Sequence, residues 1–188
     1  VMMIGKGAEQ FAYEQGLEVV SPSYFFDQRR WEQYREFIRR QQSSGSLDTE
    51  YKMGTVGAVA LDVHGNLAAA TSTGGMTGKR YGRVGDVPVI GAGTYANNES
   101  CAVSATGHGE YFIRYVVAHE ISSRMIYGRQ SLAEASEGVI NLLKEVGGSG
   151  GVISVDREGN VSLPFNSNSM FRGYVKSTGE SKTAIFVE

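Results

Sequence analysis

Four short segments of this 188-residue chain carry side chains able to do chemistry. They are Gly54-Thr55-Val56-Gly57, Thr71-Ser72-Thr73-Gly74-Gly75, Gly82-Arg83-Val84-Gly85-Asp86 and Ala105-Thr106-Gly107-His108-Gly109-Glu110. Thr55, Thr73 and Thr106 offer hydroxyls, which are poor nucleophiles unless a base removes the proton. Arg83 offers a fork that fits a carboxylate, and Asp86 a carboxylate that fits an ammonium. On composition alone those two read first as a local salt bridge. The glycines let the backbone approach a neighbour that a Cβ would hold off. Taken singly, each segment is a weak signal.

Other chemistries are poorly served. His64, His108 and His119 invite a Ser-His-Asp triad or a metal site, but His64 falls in a turn signal and His119 inside a helix signal. Neither an HExxH nor a CxxC spacing occurs, so no metal is expected. Cys101 has no convincing partner and reads as a small buried or loop residue.

The elements that must position these residues fall into two stretches. Residues 5–16 predict a helix stopped by Gly16, and Val19 to Phe26 a short extended run. Residues 27–40 predict a second helix with Asp27 as N-cap and Trp31, Tyr34, Phe37 and Ile38 at helical spacing. Its arginines are interleaved with Glu32 and Glu36, the pattern of a solvated face and not of a nucleic-acid surface. Residues 41–54 are polar and aperiodic, a linker that ends at Gly54-Thr55.

From Thr55 onward strand signals dominate. Val56 to Val63 and Leu67 to Ser72, joined by His64-Gly65-Asn66, predict an antiparallel hairpin. Val89 to Ala92 and Ala102 to Ala105 predict further strands. Residues 110–127 and 131–146 predict two long helices, the second opened by a Ser131/Glu134 capping box. Residues 151–155, 161–164 and 183–187 read as short strands, with a turn at 157–160. Strands, then helices, then strands imply an α+β fold of antiparallel sheets packed with helices. No repeat of fixed period stands out.

The order and spacing of the four segments resemble the nucleophile-bearing half of the plant-type L-asparaginase / isoaspartyl peptidase family, threonine-type N-terminal-nucleophile hydrolases. The resemblance runs through essentially the whole chain and is most specific from Thr55 to Glu110. It implies a four-layer αββα sandwich and a precursor that cuts itself between Gly54 and Thr55. Residues 1–54, including the linker, would be the end of an α subunit. Residues 55–188 would be a β subunit, the two together forming one domain. Thr55 would be the nucleophile and Thr73 the residue that hydrogen-bonds and tunes it. Arg83 would hold the substrate α-carboxylate, and Asp86, with the Gly109 carbonyl, its ammonium. Thr106 and Gly107 would form the oxyanion hole.

The physics agrees with such a nucleophile. Before cleavage the Thr55 nitrogen is an amide and cannot accept a proton. After it, the nitrogen is an amine with a pKa near roughly 8, a usable base beside the hydroxyl. The substrates implied are L-asparagine and β-aspartyl dipeptides, both carrying a free α-carboxylate and α-amine beside a side-chain amide. Glycosylasparaginases share the Thr…Arg-Val-Gly-Asp-x-Pro…Thr-Gly pattern and are the nearest rival; a precursor that never matures is another.

Composition closes off some partners. A formal net charge of −2 gives no electrostatic reason to expect nucleic acid or anionic membrane. No apolar run approaches the roughly 18 residues that span a bilayer. One cysteine excludes an internal disulfide, which favours the cytoplasm and leaves the periplasm open. The opening Val1-Met2-Met3-Ile4 reads like the middle of a chain. The family's earlier His-Gly-Gly-Ala-Gly motif, and the loop that binds its structural sodium ion, would lie in a segment before it. No cofactor is expected for catalysis, and the resemblance implies an (αβ)2 dimer.

Overall fold

The computed structural model describes residues 2–44 and 54–187. Two compact units form: Val1–Gly54 with Gly75–Val84, and Thr55–Gly74 with Gly85–Glu188. One boundary between them is the Gly54–Thr55 bond.

The first unit is helical. Helix α1 (Gly5–Glu14) ends in paired bonds, Gly16 N–H to Tyr13 O and Leu17 N–H to Ala12 O, both 3.0 Å. This is the Schellman closure that Gly16, at φ 71°, permits. The predicted extended run after it is corrected in part, since Pro22–Phe25 forms a 3₁₀ turn. Proline at its start presets a helical φ and gives up a donor the turn does not need. Helix α2 (Gln28–Ser44) is capped as predicted, with Asp27 Oδ1 accepting the Arg30 N–H at 2.8 Å. Glu36 pairs with Arg39 and Arg40 along its surface. The helix continues through residues 41–44, which the sequence assigned to the linker. Gln41 and Gln42 are good helix formers, and propensity carries the helix on. Residues 45–53 of that linker lie outside the described residues.

The second unit holds the sheets. Strands β1 (Thr55–Leu61) and β2 (Leu67–Thr73) form the predicted hairpin, in register from Thr55 opposite Thr73 to Leu61 opposite Leu67. A second sheet has the order β3 (Thr94–Ala96), β4 (Cys101–Gly107), β5 (Gly150–Asp156), β6 (Val161–Ser162). Strands β7 (Arg172–Val175) and β8 (Ser181–Ala184) form a separate hairpin.

Strand β4 explains the layering. Its side chains alternate between faces. Cys101, Val103 and Ala105 join Phe112, Val117, Ile121, Val139 and Leu143 in one buried cluster with the helices. Ser104 points the other way, its Oγ 2.7 Å from Thr71 Oγ1 on β2. The Thr71 hydroxyl donates onward to Gly93 O at 3.1 Å, which leaves Ser104 as donor to Thr71. Gly57 on β1 sits so close that a Cβ there would run into the Ser104 side chain. The unit is therefore hairpin on sheet on helices, the fold being α+β as the sequence implied.

Two predicted elements are corrected. The single helix over 110–127 is two, α3 (Gly109–Arg114) and α4 (Val117–Ile126), broken at Val116 with φ 48°. The break lets the N–H groups of Ala118 and His119 reach the carbonyls of Ala92 (3.2 Å) and Gly91 (2.8 Å). Those carbonyls belong to the predicted strand Val89 to Ala92, which is instead a turn closed by Ala92 N–H on Val89 O at 3.0 Å. Helix α5 (Leu132–Glu145) has its predicted capping box, Glu134 N–H to Ser131 Oγ at 3.3 Å and Ser131 N–H to Glu134 Oε2 at 2.9 Å. Such a cap contributes about 1 kcal/mol.

The hairpin turns repeat one local design. In Asp62-Val63-His64-Gly65-Asn66 the Asp62 carboxylate accepts the N–H groups of His64 and Asn66 (both 2.8 Å) and Asn66 Nδ2 (2.9 Å). In Asp156-Arg157-Glu158-Gly159-Asn160 the Asp156 carboxylate does the same for Glu158 (3.1 Å) and Asn160 (both bonds 2.9 Å). Gly65 and Gly159 take φ 81° and 78°, the left-handed step each turn requires. Among the described residues no helix is long and apolar enough to cross a membrane.

Candidate active site

Thr55 opens β1 and Thr73 closes β2, directly opposite each other. The Thr55 hydroxyl donates to Thr73 Oγ1 at 3.2 Å. The hairpin makes this pairing: its turn sets the register, and the register brings the two threonines together.

Thr106 and Gly107 close β4, opposite Gly151 and Gly150 of β5. Two bonds fix which end of the hairpin lies over them. Leu67 N–H, at the start of β2, donates to Asn98 Oδ1 at 2.8 Å, just before β4, while Thr71 meets Ser104 at 2.7 Å. Strands β2 and β4 thus run in the same sense, and Thr55 and Thr73 lie at the Thr106–Gly107 end of the layers. Gly107 admits no side chain. A Cβ would lie 2.5 Å from Ser149 O and would enter the ring of Phe112, which is fully buried. His108 N–H donates to Ser149 O at 2.8 Å and leads the chain into α3.

Gly109, the first residue of α3, faces Asp86. A Cβ on it would lie 2.6 Å from Asp86 Oδ1 and 3.2 Å from the Asp86 backbone nitrogen. The Asp86 side chain is buried, with 6% of the residue exposed. Its backbone carbonyl accepts both Val89 N–H (2.9 Å) and Gly93 N–H (3.1 Å), so the loop around it is closed. Arg83 belongs to the first unit, where its exposed guanidinium donates to Met76 Sδ at 3.1 Å.

The second unit therefore gathers two hydroxyls on the hairpin, and a hydroxyl followed by two side-chain-free residues at the end of β4, with a buried carboxylate against Gly109. Chemically this offers a hydroxyl that can attack a carbonyl, backbone N–H groups that can meet an anionic oxygen, and an anion that can meet a cation. Sequence reading passed over Phe112 and Ser149, which shape Gly107. Ser149 lies far along the chain from Gly107 and left no local signal.

The rival residues go elsewhere. Burial pushes the Cys101 thiol up to about 11, so it carries little thiolate at neutral pH. His64 lies in the β1–β2 turn. His119 meets Ser123 Oγ through Nδ1 at 3.3 Å and stands edge-on to Tyr95. Among the described residues no group of three or more His, Cys, Asp and Glu could hold a metal ion. A surface cavity of about 490 Å3 beside the start of α5, lined by Ser131, Asp156, Asn160, Tyr174 and Lys176 among others, contains none of the candidate site residues.

Comparison with known proteins adds a second line of observation. Residues 1–185 match the family described as Asparaginase. An isoaspartyl peptidase of Escherichia coli (strain K12) is 54% identical over 194 residues, covering 100% of this chain and 60% of that protein. An isoaspartyl peptidase of Salmonella typhimurium is 53% identical over 194 residues, covering 100% of this chain and 62% of that protein. The isoaspartyl peptidase/L-asparaginase of Xenopus laevis is 40% identical over 177 residues, covering 94% and 56%. The chain thus spans roughly three-fifths of the length of these three relatives.

Proposed function

The chain belongs to the asparaginase family, and from that premise we propose that it is the nucleophile-bearing part of a threonine amidohydrolase. Its reactions are hydrolysis of the side-chain amide of L-asparagine and of the isopeptide bond of β-aspartyl dipeptides. The observation that carries the reading is the Thr55–Thr73 hydroxyl pair at the head of the hairpin.

The chain first cuts itself between Gly54 and Thr55, so that residues 1–54 belong to one subunit and residues 55–188 to the next. Cleavage frees the Thr55 amine, which takes the proton of its own hydroxyl as Oγ1 attacks the amide carbon. Thr73 holds that hydroxyl in line. The Thr106 hydroxyl and the Gly107 N–H take the negative charge that develops on the carbonyl oxygen, each such donor being worth roughly 3 kcal/mol. The amine's proton passes to the leaving ammonia or amino acid. Water then attacks the Thr55 ester, and aspartate leaves. Arg83 binds the substrate α-carboxylate through its fork. Asp86 and the Gly109 carbonyl hold the α-ammonium. No cofactor takes part in these steps. The mature enzyme is an (αβ)2 dimer acting on small molecules and dipeptides. A lone cysteine suits a reducing compartment, and the cytoplasm is its place of action.

The test is aspartate release from L-asparagine and from a β-aspartyl dipeptide by the purified protein, with intact mass recorded alongside. Turnover of either, together with a new chain starting at Thr55, is the expected result. Failure on both substrates removes the reading. Faster release from a glycosylated asparagine would replace it with that of a glycosylasparaginase.

A further inference from the structure

Asn166 lies between β6 and β7, in a stretch that runs beside the start of β5, where Gly151 bridges antiparallel to Phe165. Its backbone N–H donates to Gly150 O at 2.9 Å, and its side-chain Oδ1 accepts Gly150 N–H at 2.8 Å. One residue therefore satisfies both backbone polar groups of Gly150. The same side chain donates through Nδ2 to Gly148 O at 3.0 Å and to Ile140 O, in α5, at 3.3 Å. Every hydrogen-bonding direction of the amide but one is thereby used inside the protein.

Gly150 is the register partner of Gly107. On a middle strand, a residue whose N–H and C=O point to one neighbour sits in a narrow, non-hydrogen-bonded pair with the other. Because Asn166 takes the polar groups of Gly150, its Cα is pressed against Gly107. A Cβ on Gly150 would lie 2.6 Å from the Gly107 Cα. The preceding residue, Ser149, accepts the His108 N–H at 2.8 Å. Gly148, Ser149 and Gly150 thus form the rear wall of the Thr106–Gly107–His108 backbone, and Asn166 ties that wall to α5.

We propose that Asn166 is a positioning residue for the oxyanion hole, acting through Gly148–Gly150 on the Gly107 backbone. The proposal rests on the threonine amidohydrolase reading above. A tethered wall holds the Gly107 N–H where the carbonyl oxygen of the transition state arrives. An untethered one lets it drift, and misplacement by about an ångström costs on the order of 100-fold in rate. Since the amide of Asn166 bonds to the backbone of Gly148, Gly150 and Ile140, its loss should act through that backbone, lowering kcat and leaving KM nearly unchanged.

The experiment compares wild type with Asn166→Ala and Asn166→Asp. The aspartate keeps an acceptor for Gly150 N–H but presents a carboxylate to the carbonyls of Gly148 and Ile140. Three quantities are read on the purified protein: kcat and KM per chain bearing a free Thr55, melting temperature, and amide hydrogen exchange of residues 106–109 and 148–150. We expect exchange to quicken in those two segments, kcat to fall about 10- to 100-fold and KM to stay within about 2-fold. Unchanged exchange at 106–109 overturns the proposal whatever the activity, and so does an unchanged kcat beside a lowered melting temperature. Wild type inert toward both amides removes the amidohydrolase reading, while the exchange comparison still decides whether Asn166 holds the Gly107 backbone.

Discussion

The hydroxyl of Thr55 donates to the hydroxyl of Thr73 from positions that face each other across the β1–β2 ladder, 3.2 Å apart. If Thr55 is the nucleophile proposed above, the pairing makes Thr73 the partner best placed to hold the attacking oxygen. Thr73→Val keeps the strand's shape and removes the hydrogen bond, which is worth about 1 kcal/mol. We expect kcat to fall about 5-fold, with Thr73→Ser close to wild type. Steady-state kinetics on a β-aspartyl dipeptide check this, and equal rates for valine and threonine would exclude the role.

The proposed self-cleavage would depend on the same oxygen. Thr55→Ala should remain uncut, because the group that attacks the Gly54 carbonyl is gone. Intact-mass spectrometry after long incubation is the measurement. A cut alanine variant, prepared without added protease, would mean another agent makes the break.

The base can be separated from the nucleophile. Adding one residue before Thr55 in a separately expressed mature subunit turns the amine into an amide and leaves the hydroxyl in place. That enzyme should be nearly inert, while His108→Gln should keep substantial turnover. In the unextended enzyme kcat/KM should decline on acidification as the amine is protonated. Full activity of the extended form would exclude the amine as base.

Gly109 and Asp86 leave no room between them. Gly109→Ala would place a methyl group 2.6 Å from Asp86 Oδ1. Displacing a buried carboxylate and its closed loop should cost about 1–3 kcal/mol of stability. On the proposed role of Asp86 in holding the substrate ammonium, KM should rise more than kcat falls, since the hydroxyls stay in place. Calorimetry and kinetics on the same preparation test both effects.

The β1–β2 turn should contribute to acid sensitivity. Hydrogen bonds from the Asn66 side chain and backbone, then from His64, hold the Asp62 carboxyl below its ordinary value of 3.8. The folded-state pKa is therefore below the unfolded one. The stabilisation is complete above the ordinary carboxylate range and disappears as pH falls through the folded value. Asn66→Ala should raise the Asp62 titration seen by carboxyl NMR, and an unmoved titration would assign the shift elsewhere.

Local signals were legible where a residue acts on its own neighbours. Asp27 and Ser131 cap the helices predicted to follow them, Gly16 closes α1, and the turn at Gly65 returns β2 onto β1 in the register that pairs the threonines. What was not legible depends on distant partners. Val116 can break the helix because Gly91 and Ala92, far along the chain, accept the N–H groups that follow it. The first residues of β3 and β7 lack alternating apolar side chains long enough to announce a strand. Asn166 sits in polar surroundings, and only the folded sheet brings it to Gly150. The Asp-x-x-Gly-Asn turns were readable, but they recur once, at no fixed period, and a search for tandem repeats does not find them.

Gly57 bears on what happens after the chain is cut. A strand with a free end frays unless something holds it down. Cleavage before Thr55 would make β1 such a strand, with its chemistry at the tip. Gly57 lies against Ser104 at a separation that only an absent side chain allows, and the adjoining Thr71 is bonded to the same serine. The strand is thus clamped to the layer beneath it just inside its new end. On the proposed cleavage, this clamp would confine fraying to Thr55 and Val56, leaving the new amine room to turn toward its own hydroxyl while the rest of β1 keeps its place.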